Sequence, residues 1–363
     1  MGYSINKQDL FDIANGGIIL GSGGGGDRAV SYSQIDDIFA VTDKVEFVSL
    51  NEVPDDACVC IISAMGSPLA TKAHGFTPEV CVNALARLEL VTGKKIEYVA
   101  AFETGGGNFM PPLYVAAKCG LKAIDADGIG RAVPESNMTM VEVAGVAGAP
   151  FAMADENNVG AVLYFTDSLD CERMGRPIIT ALEAGSIGVA NYIMDGKTAK
   201  AALIPDTYAA ALSVGQALRK AKDDGADPVS AIVEATGGVE VFRGKVTEFV
   251  AEVRDSHDWG HYVLEGCGEY AGRTMKVMME NENIIAYDED GKPKMMIPDA
   301  VCMLMTDGTP LTNAELQEGD VLGLFAVECA DAWKNEKAFA VYKECLKRLG
   351  YEGAYISCME LNS

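Results

Sequence analysis

The run ACVCIISA (57–64) constrains this chain more than any other stretch. It carries no charge and is too apolar for a strand with one face in water, so it predicts a buried parallel strand. The residues after it are punctuated like a βαβ unit. Thr77-Pro78-Glu79 supplies a capping residue, a proline at the first helical position and an early negative charge, and Gly93 stops a helix predicted over 78–92. A strand over 95–103, three glycines, a helix over 111–119 ended by Gly120 and the strand LKAID complete the unit. Strands so connected run parallel, which brings Glu103 and Asp125 to one edge of the sheet, with Met65-Gly66-Ser67-Pro68 closing the earlier strand there too. Open α/β sheets bind ligands outside that edge, where helix N-termini also point.

The texture changes near residue 168, first to a helical stretch and then to strands. VEVFRGKVTEFVAEV, HYVLEGCGEY, RTMKVMME, NIIAYDEDGKPKMMIP and VLGLFAV read as successive antiparallel strands, with turns at 288–291 and 318–320. A final helix over 335–349 carries Phe339, Tyr342, Cys345 and Leu346 on one face and should cap that sheet. The expected architecture is an α/β N-terminal domain with a largely parallel sheet (1–167) followed by an α+β, β-rich C-terminal domain (168–363), and 363 residues suffice for two cores. A formal charge of −24 repels phosphate backbones and anionic bilayers, which argues against a nucleic-acid or membrane partner. No apolar segment is long enough to span a bilayer and the start MGYSINKQDL lacks a signal-peptide layout, so a cytoplasmic location is expected. Most of the ten cysteines lie in apolar runs and read as reduced core residues. Homo-oligomerisation is expected from its general frequency alone.

Two glycine clusters and a set of carboxylates carry the candidate chemistry. The stretch from Gly21 to Gly26 lacks the lysine of a phosphate loop, since Asp27 occupies that place, but it fits a dinucleotide fingerprint if Ile18 to Leu20 is a strand. Three readings stay open for it: ligand contact through Gly23, Gly24 and Gly25, a structural turn, or nicotinamide binding. Glu103-Thr104-Gly105-Gly106-Gly107-Asn108 precedes a helix, and its amides are placed to hold an anion or a developing oxyanion, unless the glycines serve only a close packing contact. Asp125 and Asp127 point the same way from an alternating backbone, as a base, as ligands of a divalent metal ion, or as local caps. Arg131 can anchor a substrate anion with Glu135 orienting it, or the two can form an ordinary ion pair. His257 and His261 have the spacing of a helical metal pair, but their surroundings suggest a hairpin turn, and the third histidine, His74, is far off in sequence. Asn281-Glu282-Asn283 reads as a turn or as a polar cluster facing the cleft.

Taken in order, LGSGGGGD, AMGSP, ETGGGN, DADGIGRAVPE, FRGKV, GEYAGRTM and ENENIIA resemble the DUF917 family, the S-methyl thiohydantoin desulfurase-like proteins related by context to hydantoinases and oxoprolinases. The resemblance covers nearly the whole chain, with one local departure where Cys267 stands in EGCGEY. It implies two domains acting on a five-membered cyclic amide or its thio analogue, most simply a hydrolase that removes sulfur from a thiohydantoin. Residue roles follow from the sheet edge instead: Asp125 or Asp127 as base or metal ligand, the 105–107 amides for the oxyanion, Glu103 as proton donor and Arg131 as anchor. The alternatives are a nicotinamide-dependent oxidoreductase and a non-catalytic metabolite-binding protein or partner subunit of a hydantoinase.

Overall fold

The computed structural model describes residues 2–66, 76–254 and 257–363, so Ser67, Pro68 and His74 lie outside the described residues. The first sheet contains β1 (Tyr3–Ile5), β2 (Val45–Ser49), β3 (Cys58–Gly66), β4 (Tyr98–Ala101), β5 (Lys122–Asp127), β6 (Phe151–Ala154), β7 (Gly160–Leu163), β8 (Ser186–Asp195) and β9 (Ile204–Pro205). Their order is β1-β2-β5-β4-β3-β8-β6-β7, with β9 on β5. The βαβ unit is present: β3 pairs parallel with β4, and β4 with β5, through the Glu79–Thr92 and Met110–Cys119 helices. Gly93 and Gly120 end those helices in the left-handed conformation that glycine adopts without steric cost. Thr77 does not cap, because Pro78 itself holds the N-cap position without a side-chain bond.

The sheet is mixed where a largely parallel one was expected. Only β2–β5, β5–β4 and β4–β3 are parallel, and β8 lies antiparallel to β3 and carries the β6–β7 hairpin. The cause is SIGVANYIMD (186–195), which returns from the second half of the chain to cover what would have been the open side of β3.

The second sheet is wholly antiparallel, in the order β14-β13-β12-β11-β10-β16-β15. Its strands are β10 (Val239–Arg254), β11 (His257–Gly266), β12 (Thr274–Glu280), β13 (Glu282–Asp288), β14 (Pro293–Met296), β15 (Ala300–Met305) and β16 (Val321–Val327). The expected last helix is broken into Glu336–Phe339, a tighter turn at Ala340–Tyr342, and Lys343–Arg348. Its Phe339, Tyr342, Cys345 and Leu346 pack on Ile284, Ile285 and Met296 of the sheet and also on Ile129 and Met138, so it fills the space between the domains. None of the ten cysteines is bonded to another. Among the described residues no helix is long and apolar enough to cross a membrane.

The glycine clusters meet each other. Gly25 O accepts hydrogen bonds from Gly107 N at 2.9 Å and Asn108 N at 3.2 Å, and a Cβ on Gly105 would sit 2.4 Å from Gly25 O. The same loop also grips the second domain, because Asn283 N donates to Ser22 O (2.7 Å), Val301 N to Ser22 Oγ (3.0 Å) and Asn313 N to Gly23 O (2.8 Å). Backbone packed on backbone is what the bare positions allow. Gly105→Ala should therefore cost about 3 kcal/mol in urea unfolding, from forced displacement of a packed segment. Gly93→Ala, with φ 66° and no atom within 4 Å of the added Cβ, should cost only about 1 kcal/mol from backbone strain. Equal costs at the two positions would contradict the interlock.

Candidate active site

The carboxyl ends of β3 and β4 open onto a cavity of about 190 Å³ between the two domains. Ser63, Met65 and Gly66 line it from β3, Glu103 and Asn108 from the loop after β4, Asn191 and Tyr192 from β8, and Asn281 and Glu282 from the β12–β13 turn of the second sheet. This is the sheet edge the sequence points to, and it brings together Met65, Gly66, Glu103, Asn108 and Glu135 of the expected site.

Two carboxylates dominate its electrostatics. Glu103 Oε1 accepts from Asn108 Nδ2 at 2.6 Å and Oε2 from Val133 N at 2.8 Å. Its pKa is nevertheless held well above the ordinary value, first by burial and then by repulsion from Glu282, with the Val133 amide opposing. Glu282 begins β13, is 5% exposed, and has a buried Oε2 without a hydrogen-bond partner. Burial pushes its pKa up to about 8, and the Arg131 charge opposes that rise. The carboxylate lies against Gly24, where a Cβ would fall 1.9 Å from Oε1. Gly24 thus makes room for Glu282.

Several expected roles are corrected by the geometry. Asp125 is 1% exposed and is absent from the cavity wall; it accepts from Tyr3 Oη and Tyr208 N, both at 2.8 Å, and so caps the Thr207–Asp224 helix. Asp127 is fully buried and holds a turn, accepting from Ile129 N (2.7 Å), Gly130 N (2.6 Å) and Thr104 Oγ1 (2.6 Å). Burial lifts its pKa to about 6 against those donors. Thr104 is consumed by that bond. Neither aspartate is free to bind a metal, and among the described residues no group of three or more His, Cys, Asp or Glu could hold one.

Gly23, Gly25, Gly105, Gly106 and Gly107 do not line the cavity, and the Gly107 amide is spent on Gly25 O. Arg131 is 1% exposed and donates to the carbonyls of Ala132, Asp299 and Asn283 at 2.7–2.9 Å, so it bridges the domains and cannot reach a substrate anion. Glu135 pairs with Arg348 at 2.5 Å instead of with Arg131. The Gly21–Gly26 stretch follows the Lys7–Leu20 helix, not a strand, which removes the strand–loop–helix context of a dinucleotide fingerprint. His257 and His261 lie along β11, not in a turn, with His257 Nε2 2.9 Å from Pro134 O and His261 Nε2 2.6 Å from Glu248 Oε1.

Sequence reasoning missed Asn191 and Tyr192 and left Glu282 undecided. A lone amide within the apolar run SIGVANYIMD was the available signal for Asn191. Tyr192 adopts φ 48° at a bulge opposite β3, its hydroxyl donating to Glu142 Oε1 at 2.6 Å, and no sequence feature marks that strain.

Residues 8–164 match the S-Me-THD-like N-terminal domain and residues 166–356 the S-Me-THD-like C-terminal domain. The chain belongs to the S-Me-THD-like family. This family member is also similar to the crystal structure of a protein from Chromobacterium violaceum, with a TM-score of 0.84 and 27% identity over 98% of this chain and 99% of that one. No curated protein matches it.

The raised Glu282 pKa has a thermodynamic consequence. The folded protein holds the Glu282 proton more tightly than the unfolded chain, so this group's contribution to stability is complete below the ordinary 4.5 and lost as pH rises to about 8. The Tm of Glu282→Gln should accordingly gain on that of the wild type from about pH 5 to about pH 9, as followed by calorimetry. A constant difference would show that Glu282 is not protonated in the folded state.

Proposed function

We propose that the S-Me-THD-like cavity hydrolyses a five-membered cyclic amide of the thiohydantoin type and releases its sulfur as a thiol or hydrogen sulfide. The observation that carries this reading is the Glu103–Glu282 pair, two carboxyl groups from different domains facing one small cavity with both pKa values raised. The family membership supports the substrate class. A cavity of about 190 Å³ is smaller than the ~300–1,000 Å³ of drug-sized sites and suits a single substituted ring.

Two carboxyl groups that repel each other's charge share protons, so the pair keeps at least one at neutral pH. Protonation of Glu282, favoured by its unpartnered Oε2, removes the repulsion that raises Glu103, and the two N–H donors on Glu103 then hold the pair's one charge there. Glu103 takes a proton from water as the oxygen attacks the ring carbon that bears sulfur, and it returns that proton to the atom that receives the π pair, the ring nitrogen of a C=N or the sulfur of a C=S. Glu103 then takes the remaining O–H proton as the carbonyl forms, while Glu282 gives its proton to the departing sulfur and the C–S bond breaks. Transfer of the proton from Glu103 to Glu282 resets the pair, and water has replaced the thiol with no change in oxidation state. Glu103 thereby becomes the base, in place of Asp125 or Asp127, and the donor role expected for it passes to Glu282.

Glu103→Gln and Glu282→Gln should each lower kcat by about 100- to 10,000-fold, the usual contribution of a positioned acid or base. Asp125→Asn and Asp127→Asn should turn over normally per folded molecule while losing about 1–3 kcal/mol of stability, since each leaves a buried donor unmatched. An absorbance assay of thiohydantoin consumption, coupled to thiol detection, measures both pairs. Wild-type rates in the two glutamate variants would overturn the assignment. For the wild type, kcat should fall as pH rises through about 8, where the donor loses its proton.

A further inference from the structure

Asn191 is 3% exposed, lines the cavity, and has no hydrogen-bond partner for its Oδ1. A buried amide of this kind costs free energy unless something satisfies it, and native proteins leave few such groups without a reason. The local backbone shows that its placement is built. Asn191 pairs with Ile61, the next registered pair is Met194 with Val59, and the extra residue produces the bulge at which Tyr192 takes φ 48°. Successive strand residues ordinarily face opposite sides of a sheet. Here Asn191 and Tyr192 both reach the same cavity. Among the described residues, two other buried atoms on this wall lack a partner, Glu282 Oε2 from the second sheet and Arg176 Nε.

We propose that Asn191 is the residue that selects the substrate, its side-chain amide reading a ring edge in which an N–H stands beside a carbonyl. An amide carries one acceptor and a donor group side by side, and a cyclic amide presents the complementary pair, so two hydrogen bonds form in one plane. Glu282 is left to the departing sulfur. This inference rests on the cyclic-amide reading of the site and adds the requirement for a free ring N–H. It makes Asn191 a residue of recognition, with no part in proton transfer.

The full-length chain and its Asn191→Leu variant should be titrated calorimetrically with 2-thiohydantoin and its two N-methyl derivatives. Leucine keeps the volume and removes the polar atoms, so the variant should melt at or above the wild-type temperature, because replacing an unsatisfied buried amide by an apolar group is neutral or stabilising. A structural asparagine would melt lower. Wild type should lose about 10- to 100-fold in affinity when the N–H that faces Asn191 is methylated, and Asn191→Leu should bind the parent ring that much more weakly with no discrimination left. Wild type binding both N-methyl rings as tightly as the parent would overturn the inference while leaving the cyclic-amide reading standing. Binding of no ring by the wild type would overturn both. Should Asn191→Leu not fold, the methylation series on the wild type decides alone.

Discussion

The contact between the Gly21–Gly26 loop and the Gly105–Gly107 loop is the constraint on which the remainder rests. Gly25 O takes both the Gly107 and Asn108 amides, and Ser22 and Gly23 bind the backbone of the second domain. Asn108 in turn donates to Glu103, and Asn283, held by Ser22, is the residue after Glu282. One short segment therefore fixes the two carboxylates relative to each other. Side chains at these positions would prise the backbones apart, since packed interiors do not yield by ångströms without cost.

With the geometry fixed, the electrostatics follow. Burial raises both carboxyl groups and mutual repulsion raises Glu103 further, while Arg131 limits the rise from a distance because its guanidinium is spent on three carbonyls. A guanidinium bonded directly to either carboxylate would favour the ionised form and leave no proton donor at neutral pH. Arg131 thus serves the site through the domain interface, as a buried cation that bridges the two halves of the molecule.

Much of the scaffold was legible because glycine and proline punctuate it. The βαβ unit, the turns at 288–291 and 318–320, and the antiparallel second sheet stand where their signals are. Two elements hid. The Lys7–Leu20 helix contains Gly16 and Gly17, which ordinarily weaken a helix, but a Cβ on Gly16 would meet Ala211 O at 1.9 Å, so close helix packing explains them. β8 joins the first sheet across more than a hundred residues of chain from β3, and no local pattern announces such a pairing. Glu103, Asn108, Met65, Gly66 and Glu135, expected together from the rule that ligands bind at strand ends, line one cavity. Asp125, Asp127 and Arg131 were misassigned because a sequence shows which groups are charged but not which are already satisfied.

The central claim is that Glu103 and Glu282 are one coupled acid–base pair. Carbon-13 NMR of the glutamate side-chain carboxyls, titrated in the wild type and in Glu103→Gln, tests it most directly. A Glu282 resonance that titrates near 8 and moves when Glu103 is neutralised is the predicted result. Independent titration of both groups at the ordinary glutamate value, unchanged by the substitution, would contradict it.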